Sequence, residues 1–70
     1  MNISELRAEL GRHDMSIPAL AEKMGISKKQ LYERFHGKVS FTQKDILSIK
    51  QILDLSNEKI ILIFFTPQVS

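Results

Sequence analysis

The stretch IPALAEKMGISKKQLYERFH, residues 17–36, decides the fold. It reads as two short helices joined by a turn. Ser16 caps the first, and Pro18 falls in its opening turn, where a missing N–H costs nothing. Leu20, Ala21 and Met24 form its buried side. Gly25 ends it, because glycine enters the positive-φ conformation of a tight turn without steric cost. Ser27 and Gln30 form a capping box, each side chain satisfying a free backbone donor near the other. Leu31 and Phe35 are the apolar positions of the second helix, which Gly37 stops. Two helices meeting steeply through a three- or four-residue turn need a small residue at their closest approach, and Ala21 supplies it. Leu20, Met24, Ile26 and Leu31 fall where side chains point into a core.

Outward from this stretch the same punctuation recurs. Asn2 with Glu5 predicts a capping box before a first helix whose Ile3, Leu6 and Leu10 share one face. Gly11 and the His13–Asp14 stretch are expected to end it. A loop at residues 38–41 leads to Thr42, whose partner Asp45 predicts another cap, and Ile46, Ile49 and Leu53 line a fourth helix. Ser56 opens a last segment, residues 57–65, closed by Pro67. Its helical reading rests on the Ser56 cap and on Glu58 in the first turn. Its strand reading rests on the β-branched and aromatic run Ile60, Ile61, Leu62, Ile63, Phe64 and Phe65. Helix is favoured. The expected fold is all-α, a compact bundle of five short helices forming one domain over residues 1–70.

Composition narrows the function. A chain of 70 residues buries only roughly 60% of the surface it exposes when unfolded, so its stability margin is thin. Cysteine is absent, which leaves no disulfide and no cysteine-based zinc site. The first ten residues carry Glu5, Arg7 and Glu9 and lack the apolar region of a secretory signal. The apolar run at residues 60–65 is far shorter than the about 20 residues a membrane-spanning helix needs. A soluble, cytoplasmic protein is expected. His13 and His36 lie far apart, so no metal site is expected; His36, at a helix end, is placed to meet the last carbonyls. No Ser–His–Asp set, glycine-rich phosphate loop or paired-carboxylate cleft can be drawn. The expectation is a protein without enzymatic activity, cofactor or small-molecule ligand.

Charge is unevenly spread. The net charge is +2, yet residues 27–44 hold Lys28, Lys29, Arg34, Lys38 and Lys44 against Glu33 alone. That segment is +4 and the remainder −2. Such polarity suits a polyanion on one face, and the plain alternative is a solvated lysine-rich surface.

The run Leu20–Ala21–Glu22–Lys23–Met24–Gly25–Ile26–Ser27, followed by Leu31, resembles the helix-turn-helix of the phage repressor and Cro (XRE-type) family. The likeness extends to Phe35, Gly37, Lys38 and the Phe41–Thr42 entry into helix four. It is nearest to small single-domain prophage regulators, whose C-terminal segment often ends in two phenylalanines. The resemblance implies a lambda-repressor-like domain that binds double-stranded DNA sequence-specifically and regulates transcription, with helix three in the major groove. Leu20, Ala21, Met24, Gly25, Ile26, Leu31 and Phe35 would be its structural positions. Ser27, Lys28, Lys29 and Glu33 would meet base edges, a lysine donating to guanine O6 and N7 and a glutamate accepting from cytosine N4. Glu33 also reads as an i, i+4 partner of Lys29. Ser16, Tyr32, Arg34, Lys38 and Lys44 would meet the phosphate backbone. Free N–H groups beside Ser16 offer one such site, and Tyr32 either reaches a phosphate or covers the junction of helices two and three. Two positions depart from the family: Ile17 stands where many members carry a phosphate-contacting glutamine, and Arg34 stands where an aliphatic residue is common. Phe35 is read as the core anchor and Arg34 as a solvent- or phosphate-facing side chain.

Six successive apolar residues cannot all face one small core if residues 57–65 are helical. The excess predicts a partner surface and a homodimer on DNA; burial within the monomer is the alternative. The rival from another class is a protein-interaction module, such as an antirepressor or assembly factor, on the same fold without DNA. RNA binding lacks an aromatic stacking platform.

Overall fold

Short-range cap chemistry decides where each helix begins. The computed structural model describes residues 1–65 and holds α1 (Ile3–Arg12), α2 (Ile17–Met24), α3 (Lys28–Phe35), α4 (Gln43–Ile52) and α5 (Asn57–Ile60), which continues as a wider π-helical turn, Ile61–Phe65. No strand occurs among the described residues. The capping box at α3 is complete: Gln30 N–H donates to Ser27 Oγ at 3.1 Å and Ser27 N–H to Gln30 Oε1 at 3.0 Å. So is that at α4, with Asp45 N–H to Thr42 Oγ1 at 3.0 Å and Thr42 N–H to Asp45 Oδ2 at 2.9 Å. At α1 only half the expected box forms. Asn2 accepts from Glu5 N–H at 3.1 Å, but the Glu5 carboxylate takes Lys59 Nζ at 2.8 Å instead. The last segment is helical, opened by Ser56 accepting from Lys59 N–H at 3.1 Å.

α1 to α4 end in one shared way. Met15 N–H reaches Leu10 O at 2.9 Å, and Ile26 to Ala21, Lys38 to Glu33 and Leu55 to Lys50 repeat that bond at 3.1, 2.9 and 3.0 Å. This is the Schellman motif, which satisfies carbonyls a helix end would otherwise strand. It needs a left-handed residue, and Asp14, Gly25, Gly37 and Asp54 supply it with φ of 50°, 76°, 80° and 50°. Gly11, expected to help end α1, lies inside it. The chain turns at Asp14 because the motif closes there.

Each helix sends one aliphatic side chain to full burial: Leu6, Leu20, Leu31, Ile49 and Ile63, with Leu53 closing α4. α2 packs on both α3 and α4, and Ala21, 1% exposed, keeps the approach close. Met24 and Ile26, expected to point inward, are half-buried and pack against the edge of the core. Phe35, Phe41 and Phe64 meet edge to face at 5.9 and 5.3 Å, tying α3 and the loop after it to the C-terminal turn. Near the two ends of the fold, Asn2 N–H donates to Ile63 O at 2.6 Å. Lys59 bridges Glu5 and Glu9 at 2.8 and 3.4 Å, and Arg12 joins Glu9 at 2.6 Å. No helix among the described residues is long and apolar enough to cross a membrane.

Candidate nucleic-acid interface

The inner side of α3 is fixed by Leu31 and Phe35, both buried. Its helical period therefore turns Lys28, Lys29, Tyr32 and His36 outward, and all four are exposed. Ser27 is exposed too, but its hydroxyl is engaged by the capping box. Lys38 follows directly, held at the helix end because Glu33 O accepts the N–H groups of Lys38 and Val39 at 2.9 and 3.4 Å. Lys44 is exposed in the first turn of α4.

Ion pairing engages Arg12, Arg34 and Lys59 and leaves these lysines out. Glu5 and Glu9 are taken by Arg12 and Lys59, and Asp45 by Arg34. Lys28, Lys29, Lys38 and Lys44 enter no ion pair among the described residues. Glu33 is half-buried, and the i, i+4 pair with Lys29 does not form. Four free ammonium groups thus gather on α3, its following loop and the start of α4.

Arg34 corrects the reading that it faces solvent or phosphate. Its side chain is 14% exposed, and Nε donates to Asp45 Oδ2 at 2.7 Å. Nη1 also donates to Gln30 O at 3.0 Å. The cause is Asp45, a buried carboxylate that requires a counterion. Burial pushes its pKa up, but the Thr42 N–H and the Arg34 guanidinium outweigh that and hold it below the usual 3.8. Arg34 is withdrawn from the free cations. A partner eleven residues away left no local trace in the sequence.

Tyr32 stacks on His36, ring centroids 6.2 Å apart and planes 18° from parallel. The imidazole that meets a last-turn carbonyl is that of His13, whose Nδ1 lies 2.9 Å from Glu9 O. Ser16 Oγ accepts from Ala19 N–H at 3.2 Å, and Ile17 beside it is buried. Arg7 was missed by sequence reasoning. From α1 it lays its guanidinium 5.3 Å over the Phe35 ring, so a fifth exposed cation borders α3. Only tertiary packing unites residues 28 positions apart. Among the described residues no cluster of three metal-ligating side chains forms.

A second surface is largely apolar. A groove of about 750 Å³ is lined by Phe41, Ile46, Leu47, Ile60 and Phe65, with Gln43, Lys50 and Asn57 among them, and Leu47 and Phe65 are 54% and 65% exposed. Comparison of the chain with family models, curated proteins and solved structures finds no match.

Proposed function

We propose that this chain is a sequence-specific, double-stranded DNA-binding transcriptional regulator of the phage repressor and Cro type. In this reading α2 and α3 form a helix-turn-helix, and α3 lies in the major groove. The observation that carries it is the set of four exposed lysines without ion pairs, beginning in the first turn of α3. Clustered like charge without a counterion is unfavourable in the free protein; phosphates relieve it and release condensed counterions. Lys28 and Lys29 project from the part of α3 that meets base edges in such docking. Glu33 adds an acceptor on the same helix. Lys38 and Lys44 serve the backbone, fixing register without reading sequence.

The apolar groove beside Leu47 and Phe65 supports a homodimer, since an exposed apolar patch is the usual mark of a partner surface. Two-fold pairing sets two recognition helices about 34 Å apart, one turn of DNA. The same groove is what favours the second reading, an interaction module that binds protein and not DNA. Selection of duplexes from a random pool by mobility shift, repeated at two salt concentrations, separates them. DNA recognition requires enrichment of a near-palindromic site and weaker binding at higher salt. A pool that stays random at both concentrations leaves the interaction module standing.

A further inference from the structure

We propose that the Arg34–Asp45 ion pair is a clasp that positions Lys38 and Lys44 on the phosphate backbone of a duplex; the inference rests on the DNA-binding reading above. Asp45 Oδ2 receives two donors, Arg34 Nε at 2.7 Å and Thr42 N–H at 2.9 Å. One carboxylate oxygen therefore joins the last turn of α3 to the residue that caps α4. The segment between, residues 37–41, is a loop closed at its base by that oxygen. Its start is held by Glu33 O, which accepts from Lys38 and Val39. Its end is held by the Phe41 ring against Phe35. Lys38 stands on this loop and Lys44 immediately precedes Asp45, so both cations owe their separation to the clasp.

Stability alone is a poor account of the pair. Its side chains are only 14% and 9% exposed, and charges so enclosed forfeit hydration that their attraction does little more than restore. Apolar side chains of similar volume often hold two helices as well as such a pair does, and here they would forgo the bond from Thr42 N–H. What a guanidinium and a carboxylate add is direction: Arg34 is fixed at both Asp45 and Gln30 O, which fixes the loop's path. A loop set before binding does not lose that freedom when the duplex arrives. Phosphates lie at fixed spacing on a strand, so two cations at the right separation engage together.

Simple charge counting and the clasp disagree in sign. Asp45→Asn keeps an acceptor for Thr42 N–H and removes a negative charge, so by net charge alone it tightens binding to DNA. If Arg34 were itself a phosphate contact, the same change would release it and steepen the salt dependence. Arg34→Gln would weaken binding in either case. The clasp requires both variants to bind duplex DNA more weakly, each by about fivefold at about 0.15 M salt, with the log–log salt slope shallower by about one, the worth of one lost phosphate contact. Preference among single-base operator variants stays as in the wild type, because α3 still enters the groove.

The test measures duplex affinity against salt for wild type, Asp45→Asn, Arg34→Gln and Arg34→Lys, at a temperature where melting curves show each folded. Arg34→Lys can still pair with Asp45 and is expected to return the slope towards wild type. Asp45→Asn binding as tightly as wild type, or more tightly, overturns the clasp. Should Asp45→Asn not fold, equal slopes for Arg34→Gln and Arg34→Lys overturn it instead. A wild type without salt-dependent duplex binding sinks the DNA reading and the clasp with it; a wild type that binds, with variants unaltered, sinks the clasp alone.

Discussion

Lys29 and Lys38 are both exposed and unpaired, yet exchanging each for alanine should produce different defects. Lys38 stands past the end of α3 on the 37–41 loop, where the proposed docking would bring it to sugar and phosphate only. If the proposed complex forms and each of the four free lysines displaces the counterions of one phosphate, whether it ends on the backbone or in the groove, the slope of log affinity against log salt would be about −3.6 per subunit, and raising salt from about 50 to about 200 mM would weaken binding about 150-fold. Counting Arg34 would steepen the slope to about −4.5, but its guanidinium is committed to Asp45. Lys38→Ala leaves three lysines, a slope of about −2.7 and about a 40-fold change over the same interval. All sequences should weaken by one factor, since a phosphate carries no base identity. Lys29, in the first turn of α3, should instead cost about 1–3 kcal/mol on the preferred operator and flatten discrimination at one base pair. Fluorescence anisotropy on an operator and its single-base variants, at several salt concentrations, gives both quantities. A wild-type slope shallower than about −1, or Lys38→Ala altering base preference while Lys29→Ala weakens every sequence alike, refutes the docking of α3 in the groove.

If the groove pairs two copies as proposed, Phe65→Asp should convert a dimer to a monomer in sedimentation and lower operator affinity; monomers for both proteins with equal affinity exclude the groove as the dimer interface. Gly11→Ala should raise stability by about 0.5–1 kcal/mol, since Gly11 is helical with open space where a Cβ would stand; for a domain this size that is about 3–6 °C in melting temperature, and an unchanged or lower value contradicts the helical assignment. Asp45 and Glu5 titrate below their usual 3.8 and 4.5, so their stabilisation is present above those values and is lost as pH falls through the lower folded ones. Lys59 titrates above 10.5 because Glu5 accepts its hydrogen bond, so its contribution is lost only as pH rises past that point. Urea unfolding across pH 2 to 7 should show a falling limb below about pH 4 that is flatter in Asp45→Asn; equal limbs in the two proteins would show that Asp45 is unperturbed.

What could be read from the sequence was what lies within four residues. Asn2, Ser16, Ser27, Thr42 and Ser56 all cap helices because a cap joins a side chain to a backbone N–H three positions on. The alternation of buried positions was legible for the same reason. Asp54 does not read as a left-handed helix end, because aspartate adopts that conformation less readily than the glycines at 25 and 37. Gly11 reads as a stop because nothing local distinguishes a tolerated helical glycine from a terminal one. The site divides likewise. Lysine exposure on α3 follows from the period of Leu31 and Phe35. The withdrawal of Arg34 by Asp45, the half-made box at Glu5 and the placement of Arg7 over Phe35 depend on partners 11, 54 and 28 positions away. Such pairs exist only once the helices have packed.

The hydrogen bond from Asn2 to Ile63, with Lys59 beside it on Glu5 and Glu9, also bears on the order in which the chain folds. Joining residues some sixty apart costs roughly 3–4 kcal/mol of loop-closure entropy when the intervening chain is free. α2, α3 and α4 meet through short connections and escape most of that cost. Once they have packed, the span between α1 and the C-terminal turn is already short, and closing it is cheap. The central helices should therefore form the nucleus, with the two outer ones docking last. Leu20→Ala would then slow folding, while Leu6→Ala and Ile63→Ala would chiefly speed unfolding; the reverse assignment in stopped-flow kinetics would mean that the outer helices come together first.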